Sequence, residues 1–342
     1  MTTRWFRSLL VTCLLLLMAP PAVMAAEQQL PADLVEDGQP IDLASARYQG
    51  LFKELRLTHG FSQTEIDRTF KGITIRKRVL ELMDRQWEAK PYFQYYPRFI
   101  TPAAVMEGRK KLRTHAKLLD EVERLMGVER EIVVAIWGVE TRYGKNEGSF
   151  NLFQTLNTMF DAYPRRRTFY RKQLVHFLLL CRNNGVDPLS VNGSYGGAFG
   201  QTQFIPSSFR EYAVDFDNDG RRDVWQSVPD VLASIANYLR SFGWTFGAPI
   251  TCDLGDTLKD QRLIDAFNKG RKGALPRQLI AEVQGVKLPP SPDNKPLTIV
   301  GLERADGTMR YVAGYPNFQA ITAWNHSNRY AMAVSELAAK LK

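Results

Sequence analysis

Between Ile132 and Val139 the chain reads IVVAIWGV, eight residues without one polar side chain. A helix that is apolar on every side is stable only where other elements cover all of its faces. This segment therefore demands a layered, mainly helical body built around it. With 342 residues, 44% hydrophobic and 24% charged, the chain has the length and the globular composition to supply one large domain or several units sharing a core.

The rest of the chain fits that demand. Residues 34–127 read as a helical N-terminal region. DLASARYQGLFKELRLTHG spaces Leu43, Leu51 and Leu55 at helical intervals and stops at Gly60. SQTEIDRTF opens on Ser62 with Glu65 three residues on, the signature of a capping box. A proline-bounded aromatic loop follows, with Tyr92, Phe93, Tyr95 and Tyr96, and then one long charged helix from Thr101-Pro102 to about Met126. Residues 128–247 hold further helices around the irregular, glycine-rich stretch NGSYGGAFGQTQFIPSSF. Over 248–318 the runs PITCDL, LTIVGLE and MRYVAG are rich in β-formers, and Asp306-Gly307 marks a hairpin, so a small β-rich insertion is expected. Residues 319–342 return to helix, packing back on the helical body. The fold class is mainly α (α+β).

Residues 1–26 read as a signal peptide. Arg4 and Arg7 precede an apolar run, and small residues end at Ala25-Ala26. Export to the periplasm is expected, without a membrane span. Lipid anchoring through Cys13 is not expected, because that cysteine lies inside the apolar run. Cys181 and Cys252 remain, either bridged or as two separate thiols. The net charge of +9 suits an anionic polymer or a membrane surface, but no basic run longer than Arg165–Arg167 occurs, which speaks against nucleic acid.

Glu140 stands in the last turn of the apolar helix, with Gly144 as its terminator. Desolvation and the negative helix end both disfavour its charged form. A carboxyl that holds its proton near neutral pH suits general acid catalysis, as in glycosidases with an acid in an apolar pocket. The alternative is a structural Glu paired with Arg142 or another cation. In the glycine-rich stretch the Lys-Ser/Thr end of a phosphate loop is missing. Its glycines permit close backbone approach, with Ser194 and Gln203 as hydrogen-bonding groups.

Taken together, GVETRYG and SYGGAFGQTQFIPSS resemble the lytic transglycosylase B family of bacterial peptidoglycan-cleaving enzymes, which have a lysozyme-like catalytic core. The likeness runs in order from Leu34 to Ala339 and includes YYPRFITP, YPRRRTFY, DFDNDG, ANYLRSFGW, PNF and WNHS. It implies Glu140 as the single catalytic acid and then base. The cut bond joins N-acetylmuramic acid to N-acetylglucosamine, and a 1,6-anhydro ring forms. An intramolecular hydroxyl makes the usual second carboxylate dispensable. The resemblance also implies Ser194 and Gln203 on the muramyl sugar, Tyr95 and Tyr238 shaping the glycan groove, and Arg165 and Arg166 toward the peptide stems. Trp324 stands where relatives carry Tyr, and Gln319 where some carry an aromatic. The implied partners are peptidoglycan glycan strands and cell-wall synthesis proteins, with the enzyme a monomer and no cofactor in catalysis.

DFDNDGRRD sets Asp215, Asp217, Asp219 and Asp223 at positions 1, 3, 5 and 9 of an EF-hand-like loop, with Gly220 at position 6 and the Arg221 carbonyl at position 7. Position 12 is Gln226 instead of Glu; Asp230 is the replacement carboxylate. The family is similar in having a calcium site here, so a structural Ca²⁺ is expected. The alternative is an acidic turn tied up by Arg221 and Arg222. The four histidines are scattered without metal-ligand spacing. Two other functions stay open: a hydrolytic muramidase, marked by a second carboxylate facing Glu140, and a noncatalytic peptidoglycan-binding or scaffold protein.

Overall fold

A computed structural model describes residues 29–84 and 90–342; the signal-peptide expectation, residues 1–26, lies outside them. Three helices, α1 (Ala46–Leu57), α2 (Gln63–Phe70) and α3 (Lys77–Asp84), open the fold. At the start of α2 the Ser62 side chain accepts from the Glu65 amide while Glu65 reaches back to the Ser62 amide, so the capping box forms as expected. The one-turn α4 (Tyr92–Tyr95) carries the aromatic loop.

The expected single helix after Thr101-Pro102 is two, α5 (Pro102–Thr114) and α6 (Ala116–Met126). The chain turns at His115, whose ring stands edge-on to Trp137 with centroids 6.0 Å apart. That bend lays both helices against α7 (Arg130–Thr141), a packing advantage that local propensity does not record.

The apolar segment is α7, and Ile132 to Trp137 are buried without exception. Its cover comes from α5, α6, α11 (Val228–Ser241) and α15 (Asn328–Leu341). Between these lie β1 (Phe150–Asn151), α8 (Leu152–Ala162), α9 (Arg167–Asn183), β2 (Asn192–Gly193) and α10 (Pro206–Tyr212). The N-terminal helices join the same core: Tyr48 donates to Asn157 Oδ1 at 3.0 Å, and the Tyr48 and Phe160 rings meet at 5.0 Å.

The insertion contains the three expected strands, β3 (Thr251–Gly255), β4 (Thr298–Glu303) and β5 (Met309–Gly314), ordered β3-β5-β4 and all antiparallel. The β4–β5 turn is closed at Asp306, whose carboxylate accepts the Thr308 amide, with Gly307 at φ 82°. It also contains two helices the β-rich reading did not include, α12 (Gln261–Asn268) and α13 (Arg277–Gln284). Strand periodicity explains the arrangement. Ile299 and its partner Ala313 face a separate small core with Leu263 and Ile280, whereas Val300 and its partner Val312 face the main body. Last comes α14 (Pro316–Asn325), joined to α15 by His326 and Ser327.

Candidate active site

Glu140 lines a cleft of about 480 Å³. Its walls come from α4 and the turn after it (Tyr95, Arg98), from α5 (Glu107), from the end of α7, from Tyr195 in the glycine-rich loop, and from Asn325 and Tyr330 of the last two helices. The carboxylate is half-buried, and its Oε1 accepts a hydrogen bond of 2.6 Å from the Tyr330 phenol. Tyr330 is fully buried. Burial first, and then the adjacent Glu140 charge, push its pKa well above the phenol range, so it stays a donor.

The end of α7 is built for rigidity. Arg142, not Gly144, caps the helix, and Arg142, Tyr143 and Gly144 are left-handed in succession at φ 52°, 61° and 83°. Two consecutive non-glycine residues in this region are costly and persist only where their surroundings hold them. The holders are visible. Tyr143 is buried and donates to the Ala104 carbonyl at 2.7 Å. Thr141 Oγ1 accepts the Gly144 amide at 3.0 Å and donates to the Gln201 carbonyl at 3.2 Å. The Gln201 side chain accepts from Trp137 Nε1 at 2.9 Å and donates to the Trp225 carbonyl at 2.6 Å. A Cβ at Gly144 would sit 2.4 Å from Gln201 Oε1, so only glycine admits that lock. The Arg142 side chain is exposed.

The glycine-rich stretch approaches its own backbone. A Cβ at Gly193 would meet the Ala198 carbonyl at 2.3 Å. Ser194 accepts the Ala198 amide at 3.1 Å, and the Gln203 amide, at φ 50°, donates to the carbonyls of Glu147 (3.1 Å) and Gly200 (3.0 Å). Both side chains thus brace the loop that presents Tyr195. Of the expected groove residues Tyr95 lines the cleft directly. Tyr238 and Trp324 meet at 4.5 Å in an aromatic layer with Phe204, and Tyr238 donates to the Ala323 carbonyl at 2.9 Å. Arg165 stands off this cleft, hydrogen-bonded to Asp84 at 3.4 Å and lying over the Tyr163 ring. Arg166 lies over Phe169 with its guanidinium 4.3 Å from the ring centre.

Sequence reasoning missed several cleft residues. Tyr195 and Asn325 neighbour Ser194 and Trp324, so adjacency could have found them. Tyr330 carries no local mark. The cleft also holds a second carboxylate, Glu107, where the sequence offered none; it is paired with Lys145 at 3.5 Å.

In the acidic loop, oxygens of Asp215, Asp217 and Asp230 lie within 4.8 Å of one another. Asp230 is fully buried and accepts the Phe216 and Asp223 amides at 2.7 Å each. Asp219 is outside this cluster and accepts the Arg221 amide at 2.8 Å. Three convergent carboxylates, one buried, form an oxygen donor set of the kind calcium takes. Arg221 and Arg222 form no ion pair with the cluster among the described residues.

A buried helix that ends in an acid, inside a helical body with a small sheet appended, is the architecture of lysozyme-like lytic transglycosylases. The profile of the family described as "Transglycosylase SLT domain" matches residues 44–339, and the chain belongs to that family as a lytic transglycosylase enzyme. It is 34% identical over 297 residues to membrane-bound lytic murein transglycosylase B of Escherichia coli K12, covering 82% of this chain and 78% of that relative. The crystal structure of soluble lytic transglycosylase SltB1 from Pseudomonas aeruginosa superposes with TM-score 0.76 at 36% identity, covering 85% of this chain and 97% of the other. Escherichia coli lytic transglycosylase Slt35 in complex with calcium gives 0.78 at 31%, covering 90% and 96%.

Proposed function

We propose that the enzyme cleaves the bond between N-acetylmuramic acid and N-acetylglucosamine in peptidoglycan, with Glu140 as acid and then base. The carboxyl gives its proton to the glycosidic oxygen as the bond to the muramyl anomeric carbon breaks. Positive charge develops at that carbon, and the 6-hydroxyl oxygen of the same sugar attacks it. The hydroxyl proton passes to Glu140, which restores the acid, and no water is consumed. The observation that carries this reading is the Tyr330–Glu140 hydrogen bond in the cleft. A permanently protonated phenol stabilises the carboxylate during the interval when it is anionic. Tethering makes the 6-hydroxyl an effective nucleophile without a second carboxylate. Arg165 and Arg166 are read as facing peptide stems, and Ser194, Gln203, Tyr95, Tyr238 and Trp324 as the walls of the glycan groove.

Glu107 in the same cleft supports a second reading, a hydrolytic muramidase. Its pairing with Lys145 weighs against it, since the carboxylate is already engaged by a cation instead of being open to activate a water. Digestion of purified peptidoglycan and mass analysis of the released fragments separate the readings. Anhydro ends are expected; reducing ends would establish the muramidase, and no release from intact sacculi a binding protein.

Asp215, Asp217 and Asp230 are read as ligands of a structural calcium, which would neutralise their mutual repulsion and fix the loop. The sequence pattern of residues 1–26 supports export to the periplasm, where this substrate lies.

A further inference from the structure

A second cavity, of about 460 Å³, lies between the acidic loop, the residues that follow α9 and the turn before β1. It shares no lining residue with the Glu140 cleft, and its size is that of small-molecule sites, roughly 300–1,000 Å³. Its walls carry both signs of charge: Glu147 supplies a half-buried carboxylate, and Arg221 and Arg222 supply two exposed guanidiniums. These charges do not close on one another. Among the described residues no ion pair joins them, and neither the Glu147 carboxylate nor the Arg221 guanidinium forms a hydrogen bond. Arg222 donates from Nη1 to the Arg210 carbonyl at 3.3 Å, which leaves the rest of its fork open. Burial first, and then the Asp223 charge, push the Glu147 carboxyl above its usual pKa, as expected of a carboxylate that no cation answers. Glu147 is nevertheless fixed in place. Its carbonyl accepts from Gln203 Nε2 at 3.1 Å, and the neighbouring Gly148, at φ 97°, lies too close to the Gly193 carbonyl to admit a Cβ. Trp225 gives the cavity an apolar wall. Its ring stacks on Phe199 with centroids 5.2 Å apart, Asp223 Oδ1 accepts its amide at 2.8 Å, and its indole N–H has no partner among the described residues.

A carboxylate and two guanidiniums held apart around one cavity match a ligand that carries ammonium and carboxylate on the same small frame. A simple anion would meet Glu147 and Asp223, and a simple cation the two arginines. We propose that this pocket binds a zwitterionic amino-acid group, with its ammonium on Glu147, its carboxylate on Arg221 and Arg222, and its hydrocarbon part against Trp225. Two sources present that group: a free amino acid, or the end of a diamino-acid side chain within a peptide. The site is separate from the Glu140 cleft and does not depend on which bond is cut there.

The test is calorimetric titration of the full-length protein with leucine of both hands, with N-acetylleucine, which lacks the ammonium, and with leucinamide, which lacks the carboxylate. Leucine should bind, and each capped form should bind about tenfold more weakly, the loss of one charged partner. Glu147→Gln should weaken leucine and leucinamide about tenfold and leave N-acetylleucine unchanged. The double variant Arg221→Gln/Arg222→Gln should weaken leucine and N-acetylleucine and spare leucinamide. Glu147→Gln keeps the side-chain shape and both arginines are exposed, so unchanged melting curves are expected. A peptide containing diaminopimelate with its second amino-acid carbon free, titrated in parallel, separates the sources. Tighter binding than leucine assigns the site to peptides, and equal or weaker binding assigns it to free amino acids. No binding of either leucine or that peptide, equal binding of capped and uncapped leucine, or variants that bind every ligand as the wild type does would overturn the site.

Discussion

Tyr330 and Glu140 are 190 residues apart in the chain and 2.6 Å apart in the fold. A hydrogen bond donated to a carboxylate favours its ionised form. Removing the donor in Tyr330→Phe should make Glu140 hold its proton more tightly. Because the reaction starts from the protonated acid, activity is lost as pH rises through its pKa, and that alkaline limb of kcat/KM should move to higher pH. The variant should also lose about tenfold in kcat near neutral pH. A pH–rate profile that superposes on the wild type would remove Tyr330 from the site.

Glu140→Gln keeps the shape and loses the proton chemistry. Turnover of peptidoglycan should fall by about a thousandfold or more, with melting temperature and glycan binding unchanged. Residual turnover near the wild-type level would move the acid elsewhere, with Glu107 the first candidate.

Gly144→Ala should destabilise the protein by about 2 kcal/mol, measured by urea unfolding, and lower kcat as well. The added methyl demands a left-handed alanine and displaces Gln201, which ties Trp137 to the segment at Trp225. A variant as stable and active as the parent would show that this lock does not hold the end of α7.

Calcium should raise the melting temperature and a chelator should lower it. At a free concentration a hundred times Kd the linkage is worth about 2.7 kcal/mol. Asp217→Asn, at an exposed position, should abolish the calcium response with little effect on the calcium-free protein. Asp230→Ala should destabilise even without calcium, because two buried amides lose their acceptor. A melting temperature indifferent to calcium would refute the ion site.

Cys181 and Cys252 are separate thiols, one in the main core and one beside the insertion's small core. Burial pushes Cys181 up to about 12 and also raises Cys252. A thiol reagent should label half-buried Cys252 slowly in the native protein and Cys181 only after unfolding. Recovery of a peptide linking the two would contradict this arrangement.

The sequence by itself determined what depends on neighbours along the chain. The apolar run from Ile132 required an enclosed helix; Ser62 and Glu65 fixed a helix start; Asp306-Gly307 fixed a hairpin. Glu140 could be singled out as a candidate acid because its position at the end of that run is a local fact, and the Asp215–Asp230 spacing stood out for the same reason. Tertiary structure decided the rest. His115 breaks a helix that propensity would continue, because both halves gain contact with α7. The side chains of Ser194 and Gln203 also bond backbone groups of the loop, since the buried backbone groups of a glycine-rich turn must find partners. Tyr330 and Glu107 reach the cleft from elements whose own sequence does not mark them. Hydrogen bonding and charge act over a few ångströms of space whatever the separation along the chain, so Tyr330 became identifiable as a partner of Glu140 only once α15 had packed against α7.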